Sequence, residues 1–340
     1  MITLVSLMGL SVAIFGTEPK AEIAKLAIHG HTNVVNAVKF APDGSGLASA
    51  SDDDTVQIVD PANGELLLTL KGHTDSVLDV TYSLDGTRMA TASADHSAKI
   101  WEPGGGKLLL TLTGHTDSVN SVAFSFDGKW LATGSDDDTV KLWNVETGKN
   151  VTTLKGHTDS VNGVAFSSDG KLLASGSSDN LVRIWNVTTH HLVRTLKGHT
   201  DTVNALAFSP DSSLIATASH DDTVKIWETT SGENDATLSG HGGPVRGLAF
   251  SNDGTLLATV SDDGSVKIWD LSTDAEVATL DGHSDWLNDV TFAPDDSTLA
   301  TAGEDKLVKI WNVPKPKPKT AQTEKNAATT EKKTAPAVNK

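Results

Sequence analysis

The 340-residue sequence contains no cysteine, which excludes a disulfide framework, a Cys-ligated zinc site and a thiol nucleophile. Basic residues are also scarce: 27 Lys and Arg face 44 Asp and Glu, for a formal net charge of -17. Duplex binding depends on neutralising phosphates with Lys and Arg, so this composition argues against a nucleic-acid partner. Basic proteins, cationic ligands or metal ions suit the charge better.

A continuous run of apolar or small residues, Met1–Gly16, is shorter than the ~20 residues that span a bilayer. It has the length of a signal-peptide h-region, which favours residues 1–21 as a candidate signal peptide and a periplasmic or secreted protein. No Lys or Arg precedes the run, and Ile14 and Gly16 make a poor small-x-small cleavage site. The alternatives are a mis-assigned start codon or an extra hydrophobic strand, with a cytoplasmic protein. Membrane association stays open.

The dipeptide Gly-His recurs with a period of 42 residues, its histidines being His31, His73, His115, His157, His199, His241 and His283. The same period places an aspartate, usually followed by Gly, at Asp43, Asp85, Asp127, Asp169, Asp211, Asp253 and Asp295. It also places a tryptophan at Trp101, Trp143, Trp185, Trp227, Trp269 and Trp311, whereas the first copy has Val59 there. Seven copies in phase indicate one repeat domain rather than two average domains.

Each unit has the pattern of a four-stranded meander. In the third copy, Val122 and Phe124 alternate with small residues in the period-2 pattern of a strand, and Asp127-Gly128 supplies a hairpin turn. Three further strands are predicted at Trp130–Gly134, Val140–Trp143 and Val151–Leu154.

A unit of about 40 residues with Gly-His near its start and Trp-Asp near its end resembles a WD40 repeat. Trp269-Asp270 is the literal dipeptide, and Asn or Glu follows the other tryptophans as ordinary variants. The resemblance covers residues 22–313 and implies an all-β fold, a seven-bladed β-propeller of four-stranded antiparallel blades. The near-identity of copies three to five resembles the WD40 proteins of bacteria in particular.

The ends of the repeat region predict how the ring closes. The last copy stops after its third strand at Trp311–Val313, where Pro314 and Pro316 cannot continue a ladder. Glu22–Ile28 precedes the first Gly-His as fourth strands such as Glu65–Leu70 precede theirs. The N-terminal strand is therefore predicted to pair with the last blade and close the ring.

Residues 314–340 differ in composition from the repeats. They are rich in Lys, Pro, Ala and Thr and hold seven Lys against two Glu, which leaves about -22 on the rest of the chain. Alternating Pro and Lys without apolar periodicity predicts an extended, disordered cationic tail. Such a tail either tethers the ring to an acidic surface or only keeps it soluble.

Every unit offers a His, a Ser or Thr ten residues before the Trp position, and an Asp six before it. A catalytic triad uses the same residue types, but it is needed once and this set recurs in every copy, so we predict a protein that is not an enzyme. In WD40 proteins the matching residues form a buried structural network. The resemblance implies six complete networks: His73, Thr91, Asp95 and Trp101; His115, Thr133, Asp137 and Trp143; His157, Ser175, Asp179 and Trp185; His199, Thr217, Asp221 and Trp227; His241, Thr259, Asp263 and Trp269; and His283, Thr301, Asp305 and Trp311.

The first copy keeps His31, Ser49 and Asp53 but has Val59, so its network is predicted to be incomplete and its blade the least rigid. Asp-rich runs such as Asp52–Asp54 resemble calcium ligands, but no D-x-D-x-D-G loop occurs. The sequence also has no P-loop and no G-x-G-x-x-G that opens a helix. We therefore predict no metal and no cofactor.

Binding is expected where the copies differ, because the fold alone explains the positions that agree. In WD40 proteins three positions per repeat face the narrow end of the ring: the third and fifth residues after the His and the residue before the network Asp. The predicted partner-binding residues at these positions are Trp286, Arg246, His220, Asp262, Glu304, Pro244, Val34 and Leu78. An exposed Trp beside an Arg has the composition of an interaction hot spot.

These features predict a non-catalytic scaffold that binds a protein of basic or mixed surface on the end face, as a monomeric ring or a subunit of a larger assembly. The alternative is a small-ligand or glycan-binding propeller in the cell envelope, which would use the ring of Asn side chains at the channel mouth. A glycan binder predicts several equivalent pockets, whereas Trp286 and Arg246 predict one.

Overall fold

The computed structural model describes residues 24–314, whose regular structure consists of β-strands. These strands form seven four-stranded antiparallel sheets. In six sheets the strand order follows the chain, and the seventh combines the last three strands with the first. The predicted all-β, seven-bladed propeller is confirmed.

The first blades follow one another along the chain. Blade 1 contains β2 (Val35–Phe40), β3 (Leu47–Ser51), β4 (Thr55–Val59) and β5 (Leu66–Lys71). Blade 2 contains β6 (Val77–Tyr82), β7 (Met89–Ser93), β8 (Ser97–Glu102) and β9 (Lys107–Thr113). Blade 3 contains β10 (Val119–Phe124), β11 (Trp130–Ser135), β12 (Thr139–Asn144) and β13 (Asn150–Lys155). Blade 4 contains β14 (Val161–Phe166), β15 (Leu172–Ser177), β16 (Leu181–Asn186) and β17 (Leu192–Lys197).

The remaining blades complete the ring. Blade 5 contains β18 (Val203–Phe208), β19 (Leu214–Ser219), β20 (Thr223–Glu228) and β21 (Asn234–Ser239). Blade 6 contains β22 (Val245–Phe250), β23 (Leu256–Ser261), β24 (Ser265–Asp270) and β25 (Ala275–Asp281). Blade 7 contains β26 (Leu287–Phe292), β27 (Thr298–Gly303), β28 (Leu307–Asn312) and β1 (Leu26–His29).

The turn after each inner strand is held by its repeated aspartate. In blade 3, one oxygen of Asp127 accepts hydrogen bonds from Ser125 Oγ at 2.8 Å and from the Lys129 amide at 3.1 Å. Gly128 follows with a φ of 67°, which a residue without Cβ adopts at no steric cost. Gly occupies this position in five blades, whereas Ser212 and Asp296 adopt the same positive φ in blades 5 and 7.

The hydrophobic core lies between neighbouring blades rather than within one. Trp143 of blade 3 packs with Ile100 and Leu112 of blade 2, and the corresponding tryptophans of other blades are buried in the same way. Between blades 7 and 1, Val59 packs in the place of the tryptophan, beside Ile310. The junction that closes the ring is thus the one with the smallest side chain at this position.

Ring closure follows the predicted arrangement. β1 pairs antiparallel with β28, so that Leu26 lies opposite Ile310 and His29 opposite Leu307. The Lys25 amide adds a hydrogen bond of 2.7 Å to the Ile310 carbonyl. The strand is shorter than the predicted Glu22–Ile28, of which residues 22 and 23 lie outside the described part of the chain.

Both ends of the described chain lie at the same end of blade 7. The Val313 amide donates to the Ser297 carbonyl at 3.0 Å in the turn after β26, and Ala24 packs in the same apolar cluster as Val313. Trp286 lies at the opposite end, before β26 begins. The candidate signal segment and the cationic tail lie outside the described residues, and within residues 24–314 no helix is long and apolar enough to cross a bilayer.

Candidate functional site

A chain of hydrogen bonds joins the Trp, hydroxyl, His and Asp side chains in blades 2 to 7. Each Trp Nε1 donates to the Ser or Thr hydroxyl at 2.8 to 3.0 Å. Each His places Nε2 2.7 to 2.8 Å from that hydroxyl and Nδ1 2.7 to 3.0 Å from an Asp oxygen. Polar groups that would be costly to bury alone thereby satisfy one another.

The charge state of the network is set by burial and by these bonds. Burial lowers the pKa of His115, so the imidazole is neutral at pH 7, donates Nδ1–H to Asp137 and accepts the Thr133 hydroxyl at Nε2. Burial alone would raise the pKa of Asp137, but hydrogen bonds from Thr139, His115 and Thr116 lower it to about 2. Thr133 is fully buried, which leaves its hydroxyl inaccessible to a substrate.

The fifth residue after each His lies at a β-bulge between the first two strands of its blade. Such bulges re-aim a side chain at the end of a sheet. The five asparagines at this position donate from Nδ2 to a carbonyl of the next blade at 2.8 to 3.3 Å: Asn36, Asn120, Asn162, Asn204 and Asn288. Because these amides already bridge blades, the Asn ring offers few free donors to a ligand.

The end-face patch is centred on Trp286, which is 45% exposed. The Arg246 guanidinium lies over the Trp286 ring, 5.4 Å from its centroid. Asp262 holds that guanidinium through two bonds, Nε to Oδ1 at 2.6 Å and Nη2 to Oδ2 at 2.9 Å. A bidentate ion pair and a cation–π contact thus fix an aromatic ring on the surface.

Several acidic residues lie near one another in this patch. The Glu304 amide donates to the Trp286 carbonyl at 2.9 Å, which places the backbone of Glu304 beside that of Trp286. Burial and the nearby carboxylates of Asp285, Asp262 and Asp52 raise the pKa of Glu304, against the opposing effect of Arg246. The patch is therefore negative, with its one guanidinium already paired.

Comparison with known proteins fits this geometry. The family model described as "WD domain, G-beta repeat" matches residues 23–60, 64–102, 106–144, 148–186, 190–228, 232–270 and 275–312. The chain belongs to the WD40 family. WD40 propellers are generally non-catalytic and typically serve as scaffolds that bind protein partners.

One curated relative matches a short part of this WD40 chain. Protein Mut11 of Chlamydomonas reinhardtii is 60% identical over 38 residues, which are 11% of this chain and 10% of that protein. The matched stretch is about the length of a single repeat and spans a tenth of that protein. It supports the repeat and carries no particular function.

The structure brings part of the predicted partner-binding set together. Trp286, Arg246, Asp262 and Glu304 form the patch, and the Pro244 carbonyl accepts the Asp262 amide at 3.0 Å. The other three predicted residues, all half-buried, are Val34, Leu78 and His220. His220 bonds to Asn204 in blade 5, Leu78 lines the channel, and within residues 24–314 none of the three has a hydrogen bond, ion pair or ring contact with Trp286.

Gly303 was not predicted to matter, yet it lies against the loop that carries Trp286. A Cβ built on Gly303 would lie 2.9 Å from His283 Nδ1 and 3.0 Å from the Trp286 carbonyl oxygen. The other blades have a serine at this position, and in blade 2 its hydroxyl donates to the Asp75 carbonyl at 3.1 Å. Comparing the seven copies at this position would have shown that only the last one has glycine in place of serine.

Two buried carboxylates beside the central channel were also missed. The inner strands line a channel of about 670 Å³. Asp289 of blade 7 accepts the Val38 amide of blade 1 at 2.9 Å, and Asp79 of blade 2 accepts the Val122 amide of blade 3 at 2.8 Å. Asp289 thus spans the junction that has Val59 in place of a tryptophan.

These carboxylates predict a pH dependence of stability. Burial raises the pKa of Asp289 from its usual 3.8 to about 7 and that of Asp79 to about 6. Because the folded protein holds these protons more tightly than the unfolded chain, their stabilising effect is full below about pH 4 and is lost as the pH rises through 6 to 7. We compare the free energy of unfolding of Asp289→Asn with that of wild type. The difference, variant minus wild type, should be about 2 kcal/mol more positive at pH 8 than at pH 5.

Urea unfolding of both proteins at the two pH values measures this difference, in which the titration of the network histidines cancels. Asp43→Asn is the matched control, since hydrogen bonds from Ser45 lower the pKa of Asp43, which stays ionised at both pH values. For Asp43→Asn, the difference in free energy of unfolding from wild type should be the same at both pH values. The prediction is contradicted if the difference for Asp289→Asn is equally independent of pH.

The incomplete network of blade 1 predicts local mobility. His31 bonds to Ser49 at 2.8 Å and to Asp53 at 2.9 Å, but Val59 supplies no donor, and Gln57 fills the space beside Gly30 that a tryptophan fills in blade 2. We expect amide hydrogen exchange in β3 and β4 to be several-fold faster than in β11 and β12 of blade 3. Mass spectrometry of peptic fragments measures the rates, and equal protection of the two blades would refute the expectation.

Proposed function

We propose that this WD40 ring is a non-catalytic scaffold that captures a protein partner at the end-face patch around Trp286. The observation that carries the proposal is the fixed, half-exposed Trp286, supported from one side by the Arg246–Asp262 ion pair. Arg and Trp held rigid before binding lose little conformational entropy when a partner docks, which is the usual property of a hot spot.

The charges of the patch indicate which surface chemistry the partner should have. Because Arg246 is already paired with Asp262, it is not free to bind an acidic group, whereas Glu304 and Asp285 stand beside Trp286 without an ion pair in the described chain. A partner that presents Lys or Arg next to an apolar side chain would complement both features. The excess of acidic residues over the whole sequence also speeds the encounter with a basic surface.

Photo-crosslinking tests where the partner binds. A photoreactive residue placed at Asp285, exposed beside Trp286, should form an adduct with a specific protein in cell extracts. The same residue at Leu84, 57% exposed at the opposite end of the ring, is the control and should give none. Adducts from position 84 alone would place binding on the opposite face and refute the proposal.

A further inference from the structure

The end-face patch has the chemistry of a site for alternating apolar and cationic groups. Arg246 covers one side of the Trp286 ring and neutralises Asp262. Glu304, Asp285 and Asp52 form no ion pair within residues 24–314, and burial together with the nearby carboxylates raises the pKa of Glu304. An occupant that packs an apolar ring on Trp286 and extends cations to these carboxylates would cover the exposed indole and neutralise the unpaired charges.

The chain itself contains such a sequence. Prolines and lysines alternate from Pro314 to Lys319, and further lysines follow as far as Lys340. Proline-rich segments favour the polyproline II conformation, which is ordered before binding and is recognised by exposed aromatic side chains. Lysines between the prolines provide positive charges that can pair with the carboxylates beside Trp286.

Pro314 lies too far from the patch of its own ring for the six residues that begin with it to lie along that patch. Val313 bonds to Ser297 at the end of blade 7 opposite Trp286, and β28 alone separates the two ends by about 20 Å at the usual rise per residue. Six residues in a polyproline II helix span about 19 Å. Since Pro314 is at the far end of blade 7, a fully extended segment directed back along the ring would use its whole length to arrive at the level of Trp286.

We propose that the Pro314–Lys319 segment of one copy binds the Trp286 patch of a second copy. This inference rests on the proposed function, since it assigns an occupant to the same site. The contact joins two different surfaces, the tail of one molecule and the end face of the next, and such head-to-tail contacts do not close into a symmetric dimer. The full-length protein should therefore form short chains whose length increases with concentration.

Sedimentation velocity of the full-length protein over a range of concentrations tests the proposal. Wild type should self-associate. Trp286→Ala should weaken the association about tenfold or more, and so should the triple variant Lys315→Glu, Lys317→Glu, Lys319→Glu. Phe126→Ala, which removes an aromatic ring 55% exposed at the other end of the channel, should have no effect.

The second control separates specific recognition from net charge. The triple variant Lys325→Glu, Lys332→Glu, Lys333→Glu changes the formal charge by the same amount outside the Pro–Lys segment and should weaken association much less. The inference is overturned if wild type stays monomeric at all concentrations, if Trp286→Ala associates normally, or if both triple variants act alike. A monomeric wild type whose foreign partner is still lost on Trp286→Ala would overturn this inference alone and leave the proposed function standing.

Discussion

Replacing Trp286 by alanine is expected to weaken capture of the protein partner by about 30-fold or more, while the ring keeps its stability within about 0.5 kcal/mol. The indole is the large apolar surface of the patch, and its removal also takes away the contact that the Arg246 guanidinium makes at 5.4 Å. The side chain is 45% exposed and lies outside the inter-blade clusters formed by the blade 7 residues, so its removal should leave the core packing intact.

Affinity capture from fractionated cells with wild type and Trp286→Ala, followed by titration of the captured partner, measures this loss. Phe126→Ala is the matched control, because Phe126 is a similarly exposed aromatic residue at the opposite end of the ring. Urea unfolding of each variant separates lost binding from lost folding. Equal capture by wild type and Trp286→Ala would rule out the patch as the binding surface.

Replacing Ser175 by alanine is expected to destabilise the ring by about 2 to 4 kcal/mol. The Ser175 hydroxyl accepts the Trp185 Nε1 hydrogen at 3.0 Å and bonds to His157 Nε2 at 2.8 Å. Its loss leaves a buried indole N–H and a buried imidazole nitrogen without partners, and each unsatisfied group costs about 1 to 3 kcal/mol.

Blade 1 provides the control for this substitution. Ser49 bonds to His31 Nε2 at 2.8 Å, as Ser175 does to its histidine, but Val59 supplies no indole. Ser49→Ala should therefore cost about 1 to 2 kcal/mol, so that the difference between the two variants reports the tryptophan hydrogen bond. The measurement is the free energy of unfolding in urea, and equal losses in the two blades would show that the indole contributes nothing to the network.

Most of the fold could be predicted because a short unit is repeated in phase. The spacing of 42 residues fixed the number of blades, and Asp127-Gly128 with its counterparts located the hairpin turns. Closure followed from a counting argument: the last copy lacked a fourth strand, and a strand-like segment preceded the first Gly-His. The structure confirms this pairing, with the strand beginning at Leu26.

The candidate site was harder to predict, because its properties depend on contacts between different copies. The sequence showed that Trp286 and Arg246 are exceptional at their positions, but gave no sign that Asp262 fixes the guanidinium above the indole. It grouped Leu78 and His220 with them from repeat position alone, whereas the structure links neither to Trp286 within residues 24–314. The role of Gly303 was visible in principle, as the one departure from serine at its position.

By itself the sequence determined the family, the number of blades, the strand that closes the ring and the residues at which the copies diverge. All of these follow from local patterns that recur at a constant spacing. Only the tertiary structure decided that Asp289 spans the Val59 junction, that the Asn ring is occupied by inter-blade bonds, and that Pro314 and Trp286 lie at opposite ends of blade 7. The reason is physical: burial, pairing of charges and the direction in which a chain leaves the ring arise between blades, where residues far apart in sequence meet.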